Sequence, residues 1–330
     1  MTVTLVHDFP FDPSYGRTLD DLLRIPVPGG PEDFDDFWRA QYRAALEVAP
    51  EPEVGRLVEE RDGVRVFEVS YASVGGVRVG GWLVLPAEGP AEHGFVIGHG
   101  YGGRDAVGPE VPLPLPRSAA ILPCVRGMGE RSLLPGVPSV SSEHVLHGIA
   151  SRESYVIGGC VADLWTAATA LLELVPELGE LGGGGPRLGY LGESFGGGLG
   201  ALALPWDERF AAGQLTVPTF GNHPLRLTLE MTGSGAAVRR HHAAHPEVAD
   251  VLPYFDAATA ATRVRVPTLV AAALFDPSVP PPGQFAVFNG LGDGRELHVL
   301  EAGHFEWGGV DAERDRLDGA VRKFFGRVLG

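Results

Sequence analysis

Ser194 stands in Gly192-Glu193-Ser194-Phe195-Gly196, between an apolar run, Pro186–Leu191, that reads as a buried strand and a small-residue run, Gly196–Ala203, that reads as the start of a helix. On so tight a strand-to-helix turn a serine is held out as a nucleophile, and glycines flank it because a Cβ would collide with the neighbouring strand or helix. Taken alone, the pentapeptide is better read as a glycine-rich turn with an incidental serine. The order of the residues that follow changes that balance. A serine hydroxyl is a poor nucleophile at neutral pH, so it needs a histidine to take its proton and an acid to fix the tautomer of the imidazole. Asp276 directly follows the apolar run Thr268–Phe275, which puts it at the carboxyl end of a parallel strand, where the sites of such sheets collect. His304 follows the next strand, Leu297–Leu300, through Glu301-Ala302-Gly303. Serine, then acid, then histidine is the chain order this turn calls for.

Other acids and imidazoles compete for these roles. Asp256 and Asp293 could supply a carboxylate, but neither directly follows a long apolar strand, and both read as solvated loop acids. His298 alternates with strand residues, as a packed or surface imidazole does. His241, His242 and His245 are spaced so that two could share a helix face, an arrangement able to bind a metal ion. With no acidic motif beside them they read as a solvated face, and neither a metal nor an organic cofactor is expected. Attack on a carbonyl puts negative charge on its oxygen, which two backbone N–H groups can meet. One is expected from Phe195, directly after the serine. The other is expected from Tyr101 in Gly98-His99-Gly100-Tyr101-Gly102-Gly103, a loop with enough glycine to bring its backbone close to a ligand. Its alternative is an ordinary glycine turn with the tyrosine packed over it.

These groups need a frame. Short apolar runs alternate with helical stretches, the runs being Gly94–Ile97, Ala119–Val125, Leu188–Gly192, Gln214–Thr219, Thr268–Phe275 and Glu296–Leu300. Such alternation predicts an α/β fold with a mainly parallel central sheet and helices on both faces. Before it, Val66–Tyr71 and Val77–Pro86, around a turn at Val74-Gly75-Gly76, predict an antiparallel opening. A docking helix is expected over about 31–46, with Phe34, Phe37, Trp38 and Ala45 on one face. A second is expected over Gly159–Val175, stopped by Pro176 and Gly182–Gly185, and a last over about Asp311–Val328 with Leu317, Val321, Phe324 and Val328 inward. Residues from about 223 to 263, helical but weakly periodic, predict a small cap inserted between two strands. A single domain over 1–330 follows, because no internal repeat or long linker appears and the proline-dense Pro109–Pro116 is too short to separate units.

The formal net charge of −16 works against a nucleic-acid backbone or an anionic membrane surface as partner. No run of about 18 uninterrupted apolar residues appears, so no membrane-spanning helix is expected. Met1–Asp8 lacks the basic segment and apolar run of a secretory signal, which predicts a cytoplasmic location. Cys124 and Cys160 read as buried thiols, without a disulfide.

Taken together, Pro31–Trp38, His99–Gly103, Val125–Gly129, His147-Gly148-Ile149, Tyr155, Gly192–Gly196, Asp276–Pro281 and Gly303-His304 resemble the motifs of the acetyl xylan esterase and cephalosporin C deacetylase family, carbohydrate esterases of the α/β-hydrolase fold. The resemblance spans nearly the whole chain. It implies a serine esterase that removes acetyl groups from short xylo-oligosaccharides or from the antibiotic, needs no cofactor, and assembles as a homo-oligomer, commonly a ring-like hexamer with its sites facing an inner cavity. Three departures bear on the pocket wall. Met128 stands where the family usually has glutamine in Arg-Gly-Gln-Gly, Phe305 where it usually has glutamate after the histidine, and Phe195 where glutamine often follows the serine. Arg126, Met128 and Phe305 are therefore the expected pocket residues, although Arg126 at a strand end can equally brace the fold through loop carbonyls, and bracing is favoured. A serine peptidase and an acyltransferase share the same three side chains. A non-catalytic receptor on this scaffold would have no use for an activated nucleophile.

Overall fold

The computed structural model describes residues 5–108, 113–180 and 187–330. Strands Glu53–Arg61 (β1), Val64–Ser73 (β2), Val77–Pro86 (β3), His93–Gly98 (β4), Ser118–Pro123 (β5), Leu188–Glu193 (β6), Phe210–Thr216 (β7), Thr268–Ala273 (β8) and Arg295–Leu300 (β9) form one sheet. Their spatial order is β1-β2-β3-β5-β4-β6-β7-β8-β9. The first three are antiparallel neighbours and β3 is antiparallel to β5, while β4 to β9 run parallel. Helices Leu19–Leu22 (α1), Phe34–Leu46 (α2), Ser141–His144 (α3), Val156–Leu174 (α4), Glu177–Glu180 (α5), Phe195–Ala203 (α6), His223–Arg226 (α7), Gly233–Ala244 (α8), Ala257–Ala261 (α9), Pro281–Gly290 (α10) and Val310–Val328 (α11) connect and cover it.

Strand alternation splits the core into two layers, because successive side chains leave opposite faces of a sheet. Phe95 and Ile97 of β4, with Ala120 and Leu122 of β5, pack against Val321, Phe324 and Phe325 of α11. Val96, Ala119 and Ile121 point the other way, into the larger cluster with Trp38 of α2, Trp165 of α4 and Leu199 of α6. The parallel strands thus have helices on both faces, as the alternation predicted. The chain leaves β4 towards β5 on one side and, from β6, towards β7 on the other. Connections that diverge in this way open a crevice at the carboxyl ends of β4 and β6, and ligands of such sheets bind there.

Several details differ from the sequence reading. Strand β1 was not anticipated; it is an edge strand, mostly exposed and rich in charged residues, so no burial imposes an apolar alternation on it. The strand expected over Gln214–Thr219 instead spans Phe210–Thr216, since Val217 turns to φ 39° and Pro218 has no N–H to continue the ladder. Helix α4 is long and apolar enough to cross a membrane, but most of it is buried against α2, α6 and the sheet, as suits a core helix. Between β7 and β8, α7, α8 and two single 3-10 turns precede α9. Helix α9 is buried throughout and packs on α6 and α10, so residues 257–261 belong to the core rather than to a cap. The glycine stop expected at Gly182–Gly185 lies outside the described residues, as do Met1–Thr4 and the first part of Pro109–Pro116.

Candidate active site

The turn between β6 and α6 holds Ser194 at φ 54° and ψ −108°. A non-glycine residue in such a conformation stores about 1–3 kcal/mol of strain and persists only when its surroundings hold it. Its N–H donates to the Thr216 carbonyl at 2.8 Å, and its carbonyl accepts from the N–H groups of Gly198 and Thr219 at 3.0 and 3.1 Å. The flanking glycines are required by contact: a Cβ on Gly192 would lie 2.5 Å from the Gly196 carbonyl, and one on Gly196 would lie 2.7 Å from the carbonyl carbon of Gly98. Strand β4, the turn and α6 can pack this closely only without those side chains.

His304 Nε2 lies 2.9 Å from Ser194 Oγ, and His304 Nδ1 lies 2.8 Å from Asp276 Oδ2. A carboxylate only accepts, so Nδ1 carries the proton and Nε2 is left to accept from the serine hydroxyl. Asp276 is fully buried and its remaining capacity is used: Oδ1 accepts from the N–H groups of Ser278 and Val279, and Oδ2 also accepts from Gln284 Nε2 at 3.0 Å. Burial pulls the His304 imidazole towards neutrality, but the hydrogen bond and charge of Asp276, helped by Glu193, outweigh it and raise its pKa above the ordinary 6.5. A Cβ on Gly303 would overlap Asp276 Oδ2, so glycine is needed immediately before the histidine.

Two loops meet at this serine. Phe195 is the first residue of α6, and its N–H has no partner within the helix. The Tyr101 N–H makes no backbone hydrogen bond in its loop. Buried His99 fixes that loop: its Nε2 accepts from the Val125 N–H at 3.1 Å, so its Nδ1 carries the proton and donates to the Gly100 carbonyl at 2.6 Å. Burial pushes its pKa down to about 4, which keeps it neutral. The Tyr101 hydroxyl donates to His144 Nδ1 at 3.0 Å while His144 Nε2 donates to the Arg126 carbonyl at 2.9 Å. The Tyr101 ring stacks on Phe195 at 3.9 Å between centroids, so the two residues expected to offer their amides also lock each other in place. This arrangement can activate a hydroxyl, hold an imidazolium and present two N–H groups to a developing oxyanion.

A family model described as acetyl xylan esterase (AXE1) matches residues 25–316. The chain belongs to the acetyl xylan esterase family. Membership makes it a carboxylic ester hydrolase. Among solved structures it is similar to acetyl xylan esterase 1 from Thermoanaerobacterium sp. JW/SL YS485, with a TM-score of 0.78 and 20% identity over 96% of this chain and 100% of that one. It is also similar to the acetyl xylan esterase from Paenibacillus sp. R4, with a TM-score of 0.73 and 22% identity over 92% and 99% of the two chains. The acylaminoacyl peptidase of Pyrococcus horikoshii follows the same fold at a TM-score of 0.59 and 17% identity, over 85% of this chain but 41% of that one. The fold of the esterase is therefore the α/β-hydrolase fold.

Each of the three residues expected on the pocket wall of the esterase has partners of its own in the fold. Arg126 directs its guanidinium away, onto Asp163 of α4, with Nη2 at 2.7 Å from Oδ1 and Nε at 3.1 Å from Oδ2, and Nη2 donates further to the Val74 carbonyl at 3.0 Å. It braces the fold, because Nε and Nη2 are committed to a fully buried carboxylate and a loop carbonyl. Met128 is buried in the main core cluster. Phe305 packs between Phe275 and Phe9 of the N-terminal segment, with ring centroids 5.0 and 6.1 Å away.

The competing candidates also separate. Asp256 is buried rather than solvated: it caps α9 by accepting from the Ala258 and Thr259 N–H groups and ties in Asn222 and His223 in the same way. Asp293 is exposed and His298 half-buried. His241 and His245 stack at 4.5 Å, and His245 Nδ1 lies 3.4 Å from Glu247; among the described residues no three ligand-type side chains gather. Both cysteines are buried and free, with burial pushing the Cys124 thiol up to about 12. Sequence reasoning missed Gln284, which is fully buried and joins the Ala273 N–H, the Val279 carbonyl and Asp276. Its one available signal was a lone amide in the apolar stretch Gln284-Phe-Ala-Val-Phe288.

Proposed function

We propose that this esterase removes acetyl groups from short acetylated sugars such as xylo-oligosaccharides, with cephalosporin C as a second substrate of the same kind, by a serine mechanism. Ser194 attacks the acetyl carbonyl while His304 takes its proton and later returns it to the leaving alcohol. Asp276 holds His304 in the required tautomer and stabilises its charged form. The Tyr101 and Phe195 amides receive the oxyanion, and water releases acetate by the same steps in reverse. The observation that carries this reading is the unbroken relay from Ser194 through His304 to Asp276 at 2.9 and 2.8 Å.

A short acyl group suits a site whose two expected amide donors carry aromatic rings stacked at 3.9 Å between centroids. Rates should therefore fall steeply from acetyl to butyryl to octanoyl aryl esters, and a prolyl anilide should remain intact. Release of acetate from acetylated xylotriose completes the test. Octanoyl esters turned over as fast as acetyl, or anilide cleaved faster than ester, would overturn the assignment.

A further inference from the structure

Arg226, at the end of α7, is a buried cation without an anion. It is 6% exposed, its Nε has no hydrogen-bond partner, and no ion pair involves it among the described residues. Asp256 shares its surroundings but is already used by four backbone N–H groups, those of Asn222, His223, Ala258 and Thr259. A second orphan lies in the same neighbourhood: the Tyr155 hydroxyl is buried with no hydrogen-bond partner among the described residues, and the Tyr155 ring packs at 4.8 Å between centroids on Phe255, whose carbonyl lies 3.2 Å from His223 Nε2 of α7. Proteins keep a buried charge or hydroxyl unpaired only rarely, and two in one neighbourhood point to a missing oxygen-bearing partner.

Their position says where that partner would come from. The Arg226 guanidinium carbon is 5.9 Å from the centroid of the Phe220 ring, and that ring is 5.9 Å from the ring of Phe195, the residue after Ser194. Tyr15, whose hydroxyl donates to the Glu230 carbonyl at 2.6 Å, feels both Arg226 and Asp276 electrostatically. The Phe220 ring thus links Arg226 to the residue that follows Ser194. A guanidinium fork with a phenol hydroxyl alongside matches a carboxylate, which can accept two parallel N–H bonds and a third from the hydroxyl.

We propose that Arg226 and Tyr155 form a carboxylate-recognition subsite, so that the preferred substrates of this esterase are esters bearing a carboxylate, as an acidic sugar does. The inference rests on Ser194 as nucleophile, since it places the subsite relative to that atom. With a net charge of −16 the chain repels anions at long range, so the gain must come from short-range contact and appear in KM rather than in encounter.

The test compares carboxylates with their carboxamide isosteres. On the alcohol side the pair is 4-acetoxybenzoate and 4-acetoxybenzamide; on the acyl side it is monophenyl succinate and phenyl succinamate. The native enzyme should favour the acid of one pair by about ten- to a hundredfold in kcat/KM, mostly through KM, and the pair that responds tells which side of the ester carries the charge. That ratio should fall to about one in Arg226→Met and several-fold in Tyr155→Phe, a variant that removes only an unpartnered hydroxyl and keeps the ring against Phe255. A ratio near one in the native enzyme, or one that neither variant changes, overturns the proposal. Calorimetric titration of 4-hydroxybenzoate reads the subsite without turnover. Neutral esters turned over with no carboxylate binding would sink this inference alone, whereas carboxylate binding that is lost in Tyr155→Phe, in a protein without esterase activity, would support the subsite and remove the Ser194 reading.

Discussion

Asp276–His304 and Asp163–Arg126 are both pairs in which a fully buried carboxylate meets a basic side chain, and both stand at carboxyl ends of the parallel strands. In one, the carboxylate faces an imidazole that can gain and lose a proton and whose far nitrogen reaches a half-buried hydroxyl. In the other, it faces a guanidinium that does not titrate, and Ser73 Oγ at 2.6 Å and the Arg126 N–H at 2.8 Å close the remaining positions. Equal burial thus serves opposite ends. A pair with an open, titratable side can do chemistry, and a pair whose carboxylate is occupied at both oxygens holds elements together.

Exchanging the two acids in turn is the sharpest way to break this comparison. Asp276→Asn should reduce kcat by about 10⁴-fold, because the amide favours the wrong histidine tautomer, while the melting temperature changes little. Asp163→Asn should behave in the reverse sense, destabilising the protein by about 3–5 kcal/mol by leaving the Arg126 charge buried and poorly paired, with kcat per folded molecule kept within a few-fold. Denaturant unfolding together with active-site-titrated kinetics checks both. If Asp163→Asn inactivates a fully folded enzyme, Arg126 is more than a brace.

A smaller effect separates the pairs by pH. Since His304 must be neutral to accept a proton and its pKa is raised, kcat/KM should climb with pH through a midpoint above 6.5, and that midpoint should drop in the residual activity of Asp276→Asn. The stability linkage has the opposite sign. A raised histidine pKa contributes stability fully below the unfolded value near 6.5 and loses it as pH rises through the folded value, so this pair stabilises most where the enzyme works least. Asp163–Arg126 should contribute evenly across that window. A midpoint below 6.5 would mean that burial, not Asp276, governs His304.

The same contrast explains what could be read from the sequence. Ser194 directly follows β6, Asp276 directly follows an apolar run and three residues separate His304 from the next strand, so alternation and chain order were enough to single them out and to give the parallel sheet with its two helical layers. Asp163 and Gln284 act through contacts across the fold: Ser73 and Asp163 are 90 residues apart, and no local rule links them. Each was legible only as a lone polar residue in an apolar helix. Arg126 was legible as a strand-end arginine, but which way its guanidinium turns depends on that acid in α4. Asp256 looked solvated because a helix cap and a loop acid have the same local sequence until α9 folds back into the core.

The central claim is that one hydroxyl does the chemistry. Treatment with a fluorophosphonate followed by peptide mass spectrometry should label the native enzyme once per chain, on Ser194. Ser194→Ala should take no label and lose aryl-acetate hydrolysis by on the order of 10⁶-fold with its melting temperature unchanged. A label on another residue, or hydrolysis that persists in the alanine variant, would contradict the account.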